Sequence, residues 1–161
     1  AVKFGSGGWF VGLADLNEAG LKKTAGMLPA GQSSIHKLDV RDRAAWDAAL
    51  AACARASSGR IDVMFNNAGI PLGGPLLENN VGEIERCLDI NLKGVLFGAA
   101  AAHPYLKASA PGSCLLNTAS AAGIYGTPGA SVYSASEFAS KELPELHRYT
   151  PDRHEPQPAK Q

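Results

Sequence analysis

The chain of 161 residues is 45% hydrophobic, which is enough apolar content for one domain with a buried core. Its 15 basic and 15 acidic residues balance, so charge gives no basis for binding nucleic acid or an acidic membrane surface. No apolar run approaches the roughly 18 to 20 residues that cross a membrane. The 3 cysteines, odd in number and without CxxC spacing, indicate reduced thiols and a cytoplasmic protein.

Short apolar runs alternate with helical patterns in the first half of the chain. Residues 9–14 predict a strand that stops at Asp15, and a helical pattern follows. Residues 34–38 predict a second strand that stops at Asp39, and residues 41–56 predict the helix after it. Each unit is therefore a strand, an acid and a helix.

The middle of the chain continues this alternation. Residues 61–65 predict a third strand. A long helical pattern follows over residues 81–106, with Cys87, Val95 and Leu96 among the residues on its inward face. Short apolar strands that alternate with helices are typical of a parallel sheet covered on both faces. The predicted class is α/β, with a doubly wound parallel sheet.

The last predicted elements are a strand over residues 114–117 and a helix that starts near Val132. From Lys141 onward, prolines and charges replace apolar residues, a composition that buries too little surface to offset the cost of ordering. We therefore predict a folded domain over residues 1–140 and a disordered tail over residues 141–161.

Several polar residues follow strands, where parallel sheets present side chains to ligands. Asp15 is placed to accept the ribose hydroxyls of a nucleotide, or alternatively to cap the next helix, and Asp39 repeats that placement. The third strand runs into Asn66, Asn67, Ala68 and Gly69. Amides and a glycine there can hold a flat ligand, although a plain turn is the alternative.

A serine and a tyrosine suggest a place for chemistry. Ser120 follows the fourth strand, and Tyr133 lies 13 residues later at the start of a helix. A phenol, whose pKa is ordinarily about 10, transfers protons well near neutral pH only when a cation lies close by. One helical turn later, where that cation is expected, the chain has Glu137, whose charge opposes a phenolate. Asn91 in the long helix is either a core hydrogen-bonding residue or a catalytic one.

The 4 histidines form no pair at metal-ligand spacing near an acid or a cysteine. The sequence therefore predicts no metal site.

Together these residues resemble the short-chain dehydrogenase/reductase family, whose members have a single Rossmann domain. The resemblance covers about residues 1–140. The motifs that carry it, in family order, are Asp15 after a strand, Leu38-Asp39-Val40, Asn66-Asn67-Ala68-Gly69, Asn91-Leu92-Lys93-Gly94, Asn117-Thr118-Ala119-Ser120 and Tyr133-Ser134-Ala135-Ser136.

The resemblance implies hydride transfer between NAD and an alcohol or ketone substrate. In the family, a tyrosine, a serine and an asparagine act on the substrate oxygen or hold a relay water, and here they are Tyr133, Ser120 and Asn91. A lysine that tunes the tyrosine is replaced by Glu137. Asp15 implies NAD rather than NADP, because a carboxylate repels a 2′-phosphate.

The remaining cofactor contacts implied by the resemblance involve the strand ends. Asp39 and Val40 would meet the adenine, and Asn67 to Gly69 would line the adenosine side. The resemblance also implies self-association through the 81–106 helix.

The chain departs from the family pattern at both ends. The family's first strand, with its glycine-rich phosphate turn, and its last strands have no counterpart here, so we expect a truncated, incomplete Rossmann sheet. The missing strand would lie between the strand ending at Asp15 and the strand ending at Phe65. With Glu137, this favours an alternative function, an impaired or inactive member that at most binds a nucleotide or another subunit.

Overall fold

The computed structural model describes the backbone of residues 1–148 and the side chains of residues 1–143. No helix in this part of the chain is long and apolar enough to cross a bilayer. Its elements are α1 (Val2–Ser6), β1 (Val11–Asp15), α2 (Glu18–Ala25), β2 (Ser33–Lys37), α3 (Arg43–Ala56), β3 (Val63–Asn66), a 3-10 turn (Leu76–Glu78), α4 (Val81–Leu88), a π-helical turn (Asp89–Lys93), α5 (Gly94–Ala108), β4 (Cys114–Asn117), a second 3-10 turn (Ala121–Gly123) and α6 (Ser131–Arg148).

Local side-chain caps fix where the helices begin. The Asn17 side chain accepts a hydrogen bond from a backbone N–H in the first turn of α2, and Asp42 does the same for α3. Asn80 and Glu83 form a reciprocal capping box at the start of α4. Because these signals lie within a few residues of each helix start, the sequence predicted those starts to within two residues.

The four strands form two separate parallel pairs rather than one sheet. Strands β1 and β2 pair from Val11 opposite Ser33 to Asp15 opposite Lys37. Strands β3 and β4 pair in the same way and end at Asn66 opposite Asn117. Among the described residues no strand joins β1 to β3. The sheet is therefore divided at the position predicted for the missing strand.

The larger hydrophobic core lies between α3, α5 and β3. It joins the face of α3 to the small residues of α5, with Met64 of β3 and Leu38 after β2 completing it. A smaller cluster packs α2 on β1 through Leu13, Leu21 and Leu28. The buried members of the larger cluster are Leu38, Trp46, Ala49, Leu50, Ala54, Ile61, Met64, Ala101, Ala102 and Leu106.

The predicted long helix is interrupted by the π-helical turn at Asp89–Lys93. Cys87, before the turn, and Val95, after it, are buried as predicted. Leu96 is 44% exposed, so its predicted inward position is wrong. A π turn carries an extra residue, which rotates the following helix relative to a uniform 3.6-residue period.

Helix α6 extends further than the sequence predicts. It runs to Arg148 and so continues into the segment predicted to be a disordered tail from residue 141. Its first half is held by buried Val132, Ser136 and Ser140, and once a helix is nucleated each further residue adds at low cost. Residues 149–161 of the predicted tail lie outside the described residues.

Gly98 of α5 provides a test of the core packing. A Cβ added there would meet Asn66 Oδ1 and lie 3.0 Å from Trp46 Cζ2. Alanine gains about 1 kcal/mol of helix propensity, but overpacking of a fixed site costs about 1–3 kcal/mol. We therefore expect Gly98→Ala to lower the free energy of unfolding by about 1 kcal/mol or more, measured by urea denaturation.

The matched control is Gly26→Ala at the end of α2. A Cβ at Gly26 would approach no atom closer than 3.6 Å, and the residue has helical backbone angles. We expect this variant to be neutral or more stable by up to about 1 kcal/mol. Equal urea midpoints for the two variants would contradict the packing described for α5.

Candidate active site

A cleft of about 200 Å³ opens at the carboxyl ends of β3 and β4. Its walls come from the segments after the two strands, from the π-helical turn and from α6. The residues that line it are Asn67, Ala68, Gly69, Ile70, Pro71, Asn91, Val95, Thr118, Ala119, Ser120, Tyr133, Glu137 and Ser140. The site lies where parallel sheets bind ligands, because strand ends and helix starts meet at that edge.

Ser120 and Tyr133 both line this cleft. Ser120 follows the loop after β4 and caps the second 3-10 turn, where its Oγ accepts a hydrogen bond of 3.3 Å from the Ala122 N–H. Tyr133 lies in the first turn of α6 and is half-buried. The structure thus brings the two hydroxyl residues chosen from the sequence to one cleft.

Glu137 lies one turn after Tyr133 and also lines the cleft. It is only 7% exposed, and its Oε2 accepts a hydrogen bond of 2.6 Å from the Ser120 N–H. A Cβ at Gly123 would lie 2.8 Å from the Glu137 carbonyl oxygen, so the 3-10 turn packs directly on α6 at this point. The carboxylate therefore holds the Ser120 backbone in place.

Asn91, in the π-helical turn, is 2% exposed and fully used in hydrogen bonding. Its Oδ1 accepts from the Ile70 N–H at 2.8 Å, and its Nδ2 donates to the Ile70 carbonyl at 2.9 Å. Nδ2 also donates to Ser136 Oγ at 3.1 Å. Asn91 is a buried hydrogen-bonding residue, as one interpretation of the sequence predicts, and it also lines the cleft. A catalytic role for it stays a prediction.

Two serines on α6 belong to the hydrogen-bond network of Asn91, although neither was predicted as a site residue. Ser136 donates to the Tyr133 carbonyl at 2.7 Å, and Ser140 donates to the Asn91 carbonyl at 2.8 Å. Both are buried, and with Val132 they follow the i, i+4 period of a helix face. That stripe of small residues was the signal that could have identified this face of α6 as packed.

The predicted segment after β3 forms one rim of the cleft. Asn67, Ala68 and Gly69 are exposed and line it. The Asn67 Oδ1 accepts a hydrogen bond of 2.9 Å from Thr118 Oγ1, which links this rim to the segment after β4. The sequence predictions include Thr118 only within the motif of residues 117–120, because a single threonine after a strand carries no distinctive signal.

Asn66 has a different place from its neighbours. It is buried in β3 and is absent from the cleft lining. Its Nδ2 donates to the Val95 carbonyl at 3.2 Å and to Asn117 Oδ1 at 3.0 Å, so it joins the two strands to α5. The side chain points into the protein, as the parity of the strand requires, and a ligand contact of Asn66 stays a prediction.

Asp15 lies at the carboxyl end of β1, exposed and outside the cleft. Its Oδ1 accepts a hydrogen bond of 2.8 Å from the Asn17 N–H, as in the alternative of an acid that caps the next helix. Lys37 is opposite Asp15 in the strand register but forms its ion pair with Glu18 at 2.8 Å.

Asp39 is engaged by a neighbouring cation. Arg41 binds it through its side chain at 2.6 Å and through its backbone N–H at 3.0 Å. These hydrogen bonds lower the pKa of Asp39.

Val40 packs against Gly94 at the start of α5. A Cβ added at Gly94 would lie 2.8 Å from the Val40 side chain. Gly94 directly precedes Val95, which lines the cleft, so the segment after β2 contacts α5 close to the cleft wall.

Among the described residues, Glu137 is the only charged residue that lines the cleft. Burial raises the pKa of the Cys87 thiol, a hydrogen bond involving Ser136 opposes that rise, and the Glu137 carboxylate adds to it. Within the described part of the chain, no group of three or more histidines, cysteines or acids is arranged to hold a metal ion.

A family model described as short chain dehydrogenase matches residues 1–149. Meso-2,3-butanediol dehydrogenase of Serratia marcescens is 34% identical over 143 residues, which cover 89% of this chain and 56% of that relative. The chain thus spans little more than half the length of this relative.

Solved structures show the same relationship. A short-chain dehydrogenase/reductase from Burkholderia phymatum in complex with NAD matches with a TM-score of 0.79 and 30% identity, over 84% of this chain and 49% of that one. A glucose/ribitol dehydrogenase-type member from Brucella melitensis matches with a TM-score of 0.84 and 26% identity, over 91% and 62%. The chain has a Rossmann-like α/β fold and belongs to the short-chain dehydrogenase family.

Proposed function

We propose that this chain carries the catalytic centre of an NAD-dependent dehydrogenase or reductase that interconverts an alcohol and a carbonyl compound. The observation that carries the proposal is the presence of Ser120 and Tyr133 together in the cleft at the ends of β3 and β4. Family membership supports oxidoreductase activity, a nucleotide cofactor and a small-molecule substrate.

The two hydroxyl groups can divide the work on one substrate oxygen. Ser120 Oγ accepts from the Ala122 N–H, which leaves its own O–H free to donate to that oxygen. Tyr133 can give a proton to the oxygen in reduction and take one from it in oxidation. The cofactor, when bound, supplies the site that donates or accepts hydride. Asn91 acts by positioning, since it fixes the Ile70 backbone and α6.

The residues present fit the two ends of a dinucleotide. The cleft offers the Ser120 hydroxyl and a half-buried phenol, which suit a polar nicotinamide, and the exposed rim of Asn67 to Gly69 suits the adenosine side. Asp15 offers a carboxylate oxygen at the end of β1, which suits ribose hydroxyls. Val40, after β2, packs against Gly94, the residue before Val95 in the cleft wall.

The same carboxylate supports NAD rather than NADP. Lys37 is committed to Glu18, so among the described ion pairs none neutralises Asp15. An uncompensated carboxylate repels a 2′-phosphate but accepts hydrogen bonds from two hydroxyls. The proposed cofactor is therefore NAD.

A second candidate function is nucleotide binding with impaired catalysis, and Glu137 favours it. A buried acid, Glu137, lies one helical turn after Tyr133, at the position where the family resemblance implies a lysine. The described cleft lining contains no lysine or arginine to offset that charge.

One experiment separates the two candidates. NADH binding by the 161-residue chain is measured first by fluorescence, and turnover is then measured with meso-2,3-butanediol, for which the Serratia relative is named, and with a panel of alcohols and ketones. Binding with turnover supports the dehydrogenase, and binding without turnover supports the impaired member. Failure to bind the nucleotide would contradict both.

The long helical segment also supports a proposal of self-association. Val81 of α4 and Leu96 of α5 are both exposed apolar residues within the 81–106 segment. A dimer that packed this segment against its copy would cover them. Light scattering after size-exclusion chromatography tests it, and a monomer at high concentration would contradict it.

Removal of one hydroxyl tests the role of Tyr133. We expect Tyr133→Phe to lower kcat at least about 100-fold, because general acid–base catalysis contributes about that much, while the Kd for NADH changes little. The matched control is Tyr125→Phe, since Tyr125 is exposed and absent from the cleft lining. Equal turnover in the two variants would show that Tyr133 does not transfer the proton.

Neutralisation of Asp15 tests the cofactor assignment. Asp15→Asn keeps an oxygen that can accept from the Asn17 N–H but removes the charge. We expect the ratio of Kd for NADP to Kd for NAD to fall by about tenfold or more, equivalent to about 1.4 kcal/mol. Asp47→Asn on the exposed face of α3 is the control. An unchanged ratio in Asp15→Asn would rule out Asp15 as the ribose ligand.

A further inference from the structure

Glu137 is the only charged residue that lines the cleft in the described part of the chain. The other lining residues are apolar, amide or hydroxyl residues. The net charge presented to a ligand in the cleft is therefore negative, in a chain whose overall charge is balanced.

This charge is fixed in position. The side chain is 7% exposed, and the 2.6 Å hydrogen bond to the Ser120 N–H holds one carboxylate oxygen. Gly123, in the 3-10 turn that Ser120 caps, packs against the backbone and Cβ of the same residue. The carboxylate cannot swing into bulk water without breaking a charge-assisted hydrogen bond.

The described cations near this part of the fold have other partners. Lys93 pairs with Asp89 at 3.1 Å, and Lys141 pairs with Glu142 at 3.1 Å. Neither lysine lines the cleft. The Glu137 side chain is buried, so water and salt screen its charge less than that of an exposed acid.

We propose that Glu137 makes the cleft selective for the oxidised cofactor, NAD⁺, over NADH. This inference rests on the proposed function, because it concerns the charge of the nicotinamide ring in that site. The two forms differ by one hydride on the nicotinamide ring, so the oxidised ring carries a positive charge that the reduced ring lacks. A carboxylate within about 4–6 Å favours a cationic partner, and partial burial strengthens that preference over its value in water.

The selectivity has a consequence for the direction of the reaction. A site that holds NAD⁺ more tightly than NADH stabilises the complex from which an alcohol is oxidised. It also releases the reduced product more readily. Glu137, one helical turn after Tyr133, is thus favourable toward the oxidised ring in the same cleft.

The test is the pair of dissociation constants for NAD⁺ and NADH, measured by calorimetry with the 161-residue chain and with Glu137→Gln. Glutamine has nearly the same shape, and its Oε1 can still accept from the Ser120 N–H, so charge is the main change. We expect the ratio of Kd for NADH to Kd for NAD⁺ to fall by about tenfold in the variant.

Two further variants control for packing and for remote charge. Glu142→Gln removes a carboxylate from the same helix at an exposed site outside the cleft, and its ratio should match that of the unmodified chain. Glu137→Met, neutral and of similar volume, should reproduce the fall in the ratio if Glu137→Gln fails to fold by circular dichroism.

The outcomes are distinguishable. If both nucleotides bind and the ratio is the same in the unmodified chain and the neutral Glu137 variants, the inference is wrong and the proposed function survives. If neither nucleotide binds any of the folded proteins, the proposed function and this inference both fail. A ratio that also falls in Glu142→Gln would show a general charge effect and would overturn the assignment to Glu137.

Discussion

The hydrogen bonds of the Asn91 side chain hold the candidate site together. One buried amide binds both backbone groups of Ile70 and a serine of α6, so three segments that are distant in sequence meet at one residue. The π-helical turn places that amide. An extra residue in a helix is tolerated where a specific side chain must be presented, and π turns are frequent at functional sites. Loss of the amide would leave buried backbone groups without partners.

The same framework explains why Glu137 is accommodated. A buried carboxylate needs strong hydrogen bonds, and the Ser120 N–H supplies one at 2.6 Å. The bond connects α6 to the segment after β4, so Glu137 also positions the serine. Structure and chemistry thus make different demands on one position. Glu137 stabilises the geometry of the cleft while it changes which charges the cleft prefers.

The divided sheet limits what each half can contribute. The β3–β4 pair carries the cleft, and the β1–β2 pair carries Asp15. The two halves are joined through α3, α5 and the contact of Val40 with Gly94 rather than through strand hydrogen bonds. Close side-chain packing sets the separation of the two halves, because protein interiors have low compressibility. The spacing between the adenine side and the cleft therefore depends on the packing of α5.

The sequence by itself determined the α/β alternation, the helix starts and the segments that form the cleft, because these follow from local periodicity, caps and short motifs. It placed Ser120, Tyr133 and Glu137 together through their spacing. Only the tertiary structure decided that Asn66 faces inward, that Leu96 is exposed and that Arg41 engages Asp39. These depend on strand parity, on the phase shift of a π turn and on which partner lies nearest in space, and none of them is written in a local pattern.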